Sequence, residues 1–168
     1  MKERRIRVVM VAPDDLPREV WMPVSLQAFR IAVNAGAEEY GDVKAMKVDD
    51  DIYVIYHRFG CFAGLEGNRM VGDRIISGTF YVVAADEDGY PCSLTTKEAQ
   101  KYMLVFWDIP DFDSIDVIRA QLRSFEDEID KLVSKHYPYV VLHGDNNDVP
   151  EIIKIILVEK LRYACEFY

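Results

Sequence analysis

The fold is decided by the stretch Asn68–Val83, NRMVGDRIISGTFYVV, which lies near the middle of the 168-residue chain. Within it begins an apolar, β-branched run, Ile75–Ala85, which is typical of a buried strand. The residues before that run belong to a glycine-rich segment, Gly60–Asp73, whose lack of periodicity predicts a long loop. An acidic turn, Asp86–Gly89, follows the run. The stretch therefore predicts a loop, a central strand and a turn in succession.

The flanking segments complete an α+β pattern. Extended runs rich in β-branched and aromatic residues alternate with two helical patterns. Ser25 is placed to cap the first helix, and Thr95 with Glu98 forms a capping box for the second. We predict strands at Arg5–Ala12, Arg18–Met22, Val43–Val48 and Ile52–Phe59, and helices at Leu26–Asn34 and from Thr95 to about Trp107. The fold class is therefore α+β, with a mixed, mostly antiparallel sheet and packed helices.

The segment Asp108–Asp113 contains Pro110 and divides the chain into a predicted α+β domain, 1–107, and an extension, 108–168. Apolar residues in the extension alternate three and four positions apart, which predicts a helix with one apolar seam. The seam consists of Ile115, Ile118, Leu122, Phe125, Ile129 and Leu132. A strand near Tyr139–Leu142 and a last helix to Ala164 complete a helix–strand–helix unit, expected to pack on the same core. The seam could instead form a homodimer interface through Ile115–Leu132.

The net charge of the chain limits the classes of partner that it is expected to bind. The chain has a formal net charge of −9, and the acids are concentrated in its second half. Residues 1–84 hold 11 Lys+Arg and 12 Asp+Glu, whereas residues 85–168 hold 9 and 17. Such a field argues against direct nucleic-acid binding and favours partners with basic surfaces. No apolar run is long enough to span a bilayer and no signal peptide is predicted, so we expect no membrane association.

Short motifs scattered over residues 5–106 resemble a family of small uncharacterised proteins, a domain of unknown function, from bacteriophages and other mobile elements. The matching residues are Val8-Val9, Ser25-Leu26-Gln27-Ala28, Asn68-Arg69, Ile75-Ile76, Gly78-Thr79-Phe80, Asp86-Glu87-Asp88-Gly89, Ser93-Leu94-Thr95 and Lys101-Tyr102. One departure is Leu65-Glu66-Gly67, where the family usually has a proline before Asn-Arg. The resemblance implies an accessory protein of the bacterial cytoplasm, and it implies no reaction.

One candidate ligand site lies around the glycine-rich segment. Asn68 and Arg69 could bind a phosphate or carboxylate, since a guanidinium forks onto such groups. Gly78 and Thr79 could contribute a turn beside them. The structural alternatives are that Arg69 pairs with an acid such as Asp73, that Asn68 caps the loop, and that Gly78 permits a bulge or a close backbone contact. A nucleotide-like small molecule is the ligand that this site would suit.

Catalytic and metal chemistry have little support in the sequence. Three histidines and three cysteines show no ligand spacing, and no serine, cysteine or threonine lies in a nucleophile motif. The aspartates near Pro110 are expected at the start of a helix, where carboxylates suit the positive end of the dipole. We therefore predict no catalytic residue, no metal site and no cofactor, and nothing in the sequence calls for an enzyme.

These observations predict a non-enzymatic accessory protein of a phage or mobile element, which binds and inhibits a host defence-related protein through an acidic surface. A nucleotide-sequestering protein that uses Asn68 and Arg69 is one alternative, and a homodimeric structural or regulatory module is another. The residues expected to contact the host protein are Asp113, Asp116, Glu126, Asp127, Glu128 and Asp130.

Overall fold

A computed structural model of the chain describes residues 4–113, 116–121 and 123. The chain forms two compact units, Met1–Ile118 and Arg119–Tyr168. Every strand and helix described below belongs to the first unit. The predicted strand and last helix of the extension lie outside the described residues, and so does most of its first helix.

An antiparallel sheet forms the centre of the first unit. Its strands are β1 (Arg5–Val11), β2 (Arg18–Pro23), β3 (Val43–Asp49), β4 (Ile52–His57), β7 (Phe80–Ala85) and β8 (Pro91–Cys92), and a separate hairpin contains β5 (Gly67–Val71) and β6 (Arg74–Ser77). The order in the sheet is β2-β1-β7-β4-β3, with β8 beside the end of β7. All pairings of the described strands are antiparallel. The predicted α+β class is confirmed.

Two helices pack on opposite faces of the sheet. Successive side chains of β7 point to alternate faces, so each helix contacts a different set of them. Helix α1 (Leu26–Val33) packs Phe29 against the face that contains Val83. Helix α2 (Thr96–Val105) packs Tyr102 against the face that contains Val82. Both sides of the central strand are therefore apolar, which explains why β7 appears in the sequence as a continuous apolar run.

The helix caps match their predictions. The Ser25 hydroxyl accepts a hydrogen bond from the Ala28 amide (3.0 Å). Thr95 and Glu98 form the reciprocal capping box, in which the Thr95 amide donates to the Glu98 carboxylate (2.8 Å). Each cap satisfies an amide that the first helical turn leaves without a partner, and thereby determines where the helix begins.

The loop prediction for Gly60–Asp73 is wrong over its second half. Gly67–Val71 is strand β5, and a two-residue turn at Gly72-Asp73 joins it to β6. Gly72 has φ +63°, which suits the first central position of a tight hairpin turn. The Gly-Asp pair between two apolar runs was the sequence signal for this hairpin.

The single strand predicted at Ile75–Ala85 is also wrong, because Gly78-Thr79 divides it into β6 and β7. Gly78 has φ +82°, a conformation that glycine adopts without strain. The break lets β6 leave the main sheet and pair with β5, while β7 stays between β1 and β4. One predicted alternative was that Gly78 permits a close backbone contact, and its amide does contact the Glu66 main-chain oxygen.

Candidate functional site

Asn68 joins three parts of the fold from a fully buried position (0% exposed). Its side-chain amide donates to the main-chain oxygens of Val11 (2.7 Å) and Gly78 (2.8 Å). Its side-chain oxygen accepts from the Arg69 guanidinium (2.8 Å). The asparagine therefore holds the end of β1, strand β5 and the β6–β7 link together, and it has partners for its donors and its acceptor.

The Arg69 side chain is only 2% exposed, and main-chain oxygens surround its charged head. The guanidinium donates to Phe106 (3.0 Å) at the end of α2, and to Pro13 (3.0 Å) and Asp15 (2.9 Å) in the β1–β2 loop. Burial lowers its pKa, and the Asp108 and Asp14 carboxylates act in the opposite direction. An arginine stays charged in any case, so the carbonyls replace the water that it loses.

Asn68 and Arg69 thus have intramolecular partners, and Asp73, the acid first expected to pair with Arg69, is not one of those described. The prediction that the two residues bind a ligand stays a prediction. Gly78 is buried, and its amide donates to the Glu66 oxygen (2.7 Å). A Cβ at Gly78 would lie 2.6 Å from the Leu65 side chain, while Thr79 is half-buried beside it. The four predicted residues therefore lie together, at a junction of the fold.

A cleft of about 530 Å³ opens next to this junction, and we call it the acidic cleft. It brings together residues from the β1–β2 loop, the segment before β5 and the segment after α2. The lining residues are Asp14, Cys61, Gly64, Leu65, Glu66, Gly67, Pro110, Asp111, Phe112, Val117 and Ile118. Three carboxylates are among them, and no lysine, arginine or histidine is.

The three carboxylates of the acidic cleft are exposed. Among the described residues, Asp14, Glu66 and Asp111 have neither a hydrogen bond nor an ion pair to their side chains. The buried Arg69 charge attracts Asp14 only at longer range. Within the described residues, no side chain forms an ion pair with these carboxylates, so their negative charge can attract a cation.

Apolar residues also line the acidic cleft, and some of them are closely packed. Phe112 is half-buried, Val117 is buried and Ile118 is exposed. A Cβ at Gly67 would lie 2.7 Å from Val117 and 3.4 Å from the Phe112 ring, so only glycine permits this approach. The cleft therefore combines carboxylates with aliphatic and aromatic surface, an arrangement that suits a ligand with both a positive charge and an apolar part.

Exposed apolar side chains flank the acidic cleft along the chain. Leu16 follows Asp14 by two residues, Ile109 precedes Pro110, and Trp107 is 51% exposed. We call Leu16, Trp107 and Ile109 the Trp107 patch. One guanidinium, that of Arg69, holds the main-chain oxygens of Asp15 and Phe106, which directly precede Leu16 and Trp107. The same buried arginine thus positions two of the three patch residues.

Burial shifts the pKa of two reactive side chains among the described residues, Cys61 and His57. Burial raises the pKa of the Cys61 thiol, so the cleft holds a weak nucleophile at neutral pH. His57 is buried, and its Nδ1 accepts a hydrogen bond from the Phe59 amide (3.1 Å). Burial lowers its pKa, partly offset by a carbonyl at Glu39 and the charge of Asp42. No group of three metal-ligating side chains occurs in the described part of the chain.

The structure describes two of the six acidic residues predicted to contact a partner. Asp113 and Asp116 are exposed, and they adjoin the cleft residues Phe112 and Val117 in the chain. Glu126, Asp127, Glu128 and Asp130 lie outside the described residues. Of the predicted apolar seam Ile115–Leu132, only Ile118 has a described side chain, and it lines the acidic cleft.

Sequence reasoning missed the acidic cleft, because its acids come from positions 14, 66 and 111, which are far apart in the chain. The one available signal was Leu65-Glu66-Gly67, the departure from the family pattern, which contributes three adjacent residues to the cleft.

Comparisons with known proteins give a family but no activity. No helix in the described ranges has the length and hydrophobicity needed to cross a membrane. The chain matches no curated protein and no solved structure. A family model described as "Domain of unknown function (DUF3846)" matches residues 6–106, which include the sheet, both helices and the Asn68–Arg69 junction. The chain therefore belongs to the DUF3846 family, whose function is unknown.

Proposed function

We propose that this protein is a non-enzymatic accessory protein of a phage or mobile element, which binds a host protein through an acidic surface and inhibits it. The observation that carries the proposal is the acidic cleft, where the carboxylates of Asp14, Glu66 and Asp111 form no ion pair and no hydrogen bond among the described residues. A partner with a basic surface would complete these charges. The net charge of −9 would attract such a partner at long range and speed its association.

The apolar surroundings support a protein as the partner. Charged contacts at the edge of an interface mainly direct association, whereas buried aromatic side chains contribute most of the binding energy. The Trp107 patch offers an exposed tryptophan with two aliphatic neighbours in the chain. A partner that covered the patch and the acidic cleft together would make both kinds of contact. Inhibition follows if the covered basic surface is the one that the host protein needs for its own function.

The test compares two variants with the same change in net charge. In one, Asp14→Asn, Glu66→Gln and Asp111→Asn neutralise the acidic cleft. In the other, the exposed acids Glu39, Glu87 and Asp88, which do not line the cleft, become Gln, Gln and Asn. Each tagged chain captures partners from bacterial lysate at low and high salt, and the captured protein is then assayed for activity with and without the chain.

We expect the wild-type chain and the control variant to retain one stoichiometric, inhibited partner, and the cleft variant to lose it. Capture should weaken with salt, because screening reduces the attraction between exposed charges. Neutralising Glu126, Asp127, Glu128 and Asp130 tests the acids first expected to bind, and it should lower both the affinity and its salt dependence. The absence of a saturable protein partner, or a partner whose activity is unchanged, would refute the proposed function.

A further inference from the structure

We infer that His57 is a pH-sensitive latch, which holds residues 35–42 against the turn at residues 59–65 while its ring is neutral and releases them when the ring is protonated. The evidence is the position of the buried imidazole between these two segments and the hydrogen bond that it accepts. The inference goes beyond the proposed function and does not depend on it.

Residues 35–42 enclose one side of the His57 imidazole. The ring lies at the end of β4 and is 3% exposed. A Cβ at Gly41 would clash with its Cε1 and Nε2 atoms, so the glycine backbone packs directly against the ring. Asn34 fixes that backbone, because its side chain accepts from the Gly41 amide (2.7 Å) and donates to the Gly41 oxygen (3.0 Å). The segment is therefore held in a shape that fits the ring.

On its other side, the imidazole binds the turn that follows β4. Its Nδ1 accepts a hydrogen bond from the Phe59 amide (3.1 Å), so the neutral ring carries its proton on Nε2. The Phe59 oxygen accepts from the amides of Phe62 (3.0 Å) and Ala63 (3.1 Å), and these bonds hold the turn together. The Ala63 oxygen accepts from the Glu38 amide (2.9 Å), which joins the turn to residues 35–42. The ring thus lies where the two segments meet.

Protonation of Nδ1 is incompatible with this arrangement. A charged imidazole carries a hydrogen on both nitrogens and has no acceptor left for the Phe59 amide. Nε2 is buried and has no hydrogen-bond partner among the described residues, so the closed arrangement offers the charged ring little in place of water. The charged ring is therefore stable only where solvent reaches it, and its departure removes the group between Gly41 and Phe59.

The groups around the ring only partly favour its charged form. The titratable and charged residues of the elements near it are Arg30 of α1, Glu38, Glu39 and Asp42 before β3, Lys44 of β3, Arg58 and Cys61 after β4, and Tyr81 of β7. Burial is the largest influence and lowers the pKa of His57, whereas the main chain at Glu39 and the charge of Asp42 act to raise it. Arg30 pairs with Asp42 (3.2 Å), and its positive charge offsets part of that attraction. The closed arrangement therefore favours the neutral ring.

Release of the latch changes the wall of the acidic cleft. Cys61, Gly64 and Leu65 belong to the turn and line the cleft. The Leu65 amide donates to the Gly60 oxygen (2.9 Å), so the end of the turn is tied to its start. A hydrated histidine titrates near pH 6.5, and release therefore occurs in mildly acidic solution. The latch makes this part of the cleft sensitive to pH.

Amide hydrogen exchange of the full chain tests the latch, followed by NMR at pH 7.5 and 5.5 and corrected for the intrinsic effect of pH. We expect the Phe59 and Glu38 amides to exchange faster than that of Val82 in β7 at both pH values, and about tenfold faster at pH 5.5 than at pH 7.5. The factor follows from a histidine pKa of about 6.5 in the open form, which is mostly protonated only at the lower pH. Unchanged exchange would overturn the inference. Equal rates at Phe59 and Val82 would also overturn it, because His57 would then be released only by global unfolding.

Two variants separate the charge of the ring from its packing. His57→Asn supplies a side-chain oxygen that can accept from the Phe59 amide without titrating, so exchange there should lose its pH dependence. Gly41→Ala leaves His57 in place but displaces the ring, and it should raise exchange at Phe59 at least about fivefold at pH 7.5 through overpacking. Gly89→Ala, whose Cβ would meet nothing within 4 Å, is the control and should leave that exchange unchanged. A pH response that survives in His57→Asn, or wild-type exchange in Gly41→Ala, would show that the ring is not the latch.

Discussion

Arg69 of the Asn68–Arg69 junction and Glu66 of the acidic cleft lie close together in the chain, but their charged groups have opposite surroundings. Arg69 is buried and donates to several main-chain oxygens. Glu66, three residues earlier, is exposed and has no partner for its carboxylate among the described residues. A charged group surrounded by internal partners contributes to the fold, whereas one without a partner can contribute to binding. Residue type alone does not distinguish these two situations.

The largest expected effect is on stability, and it tests the structural side of the comparison. Arg69→Met removes the charge and leaves the oxygens of Pro13, Asp15 and Phe106 without this donor. Since buried acceptors without partners are costly, we expect the free energy of unfolding to fall by about 3 kcal/mol or more. Urea unfolding measures the change. Arg69→Lys keeps the charge without the fork and should recover only part of the loss. A loss below about 1 kcal/mol would instead favour a ligand-binding arginine.

The next prediction compares Gly78 with Gly72 and thereby separates the cost of overpacking from the cost of backbone strain. Gly78 and Gly72 both have positive φ, but a Cβ at Gly78 would meet Leu65 at 2.6 Å, whereas one at Gly72 would meet nothing within 4 Å. We expect Gly72→Ala to lower the free energy of unfolding by about 1–2 kcal/mol through backbone strain. Gly78→Ala should cost about 1–3 kcal/mol more through overpacking. Thermal or urea unfolding gives both values, and equal losses would contradict the tight contact with Leu65.

A smaller effect concerns His57, the buried titratable group on the other side of β4 from Tyr56. Burial lowers its pKa below the ordinary 6.5, so the unfolded chain binds a proton at a pH where the folded protein does not. Stability should therefore decrease as the pH falls below about 6.5, by at most about 1.4 kcal/mol per pH unit from this residue. Urea unfolding between pH 7.5 and 5.5 measures the slope, and His57→Asn should flatten it. An identical slope in that variant would assign the pH dependence to other groups.

The smallest expected effect on stability is at the acidic cleft. Replacing Asp14, Glu66 and Asp111 by their amides removes no hydrogen bond within the described residues. We therefore expect the free energy of unfolding to change by less than about 0.5 kcal/mol, with any gain due to reduced repulsion. The contrast with Arg69 is direct, because the same unfolding measurement applies to both sites. A large loss would show that these acids have structural partners, and the cleft would no longer differ from the junction.

Several features of the fold were predictable because their causes are local. The Thr95–Glu98 capping box needs only four consecutive residues, and both side chains form the predicted bonds. The apolar run of β7 was recognisable for a similar reason, since a central strand covered on both faces is apolar at every position. The β5–β6 hairpin was missed, because the glycine-rich composition of Gly60–Asp73 outweighed the turn signal at Gly72-Asp73.

The candidate site was only partly predictable. Part of the segment predicted to hold binding residues, Cys61 and Gly64–Gly67, lines the acidic cleft, and its role in binding stays a prediction. The residues chosen within it, Asn68 and Arg69, are buried with internal partners. The alternation of a regular strand would not bury both residues, because Asn68 and Arg69 are adjacent. They lie where the register of β5 shifts, between Gly67 and Arg69. Such an irregularity arises from pairing and cannot be seen in composition or spacing.

By itself, the sequence determined the α+β class, the mostly antiparallel character of the sheet, the helix caps and the acidic balance, since each depends on neighbouring residues or on totals. The tertiary structure decided which charges have partners. Asp14, Glu66 and Asp111 form one cleft only because the β1–β2 loop, the segment before β5 and the segment after α2 converge. Arg69 has internal partners only because carbonyls from two distant segments reach it. Those long-range contacts decide whether a charged side chain stabilises the fold or remains available to a partner. Burial and backbone geometry determine the contacts.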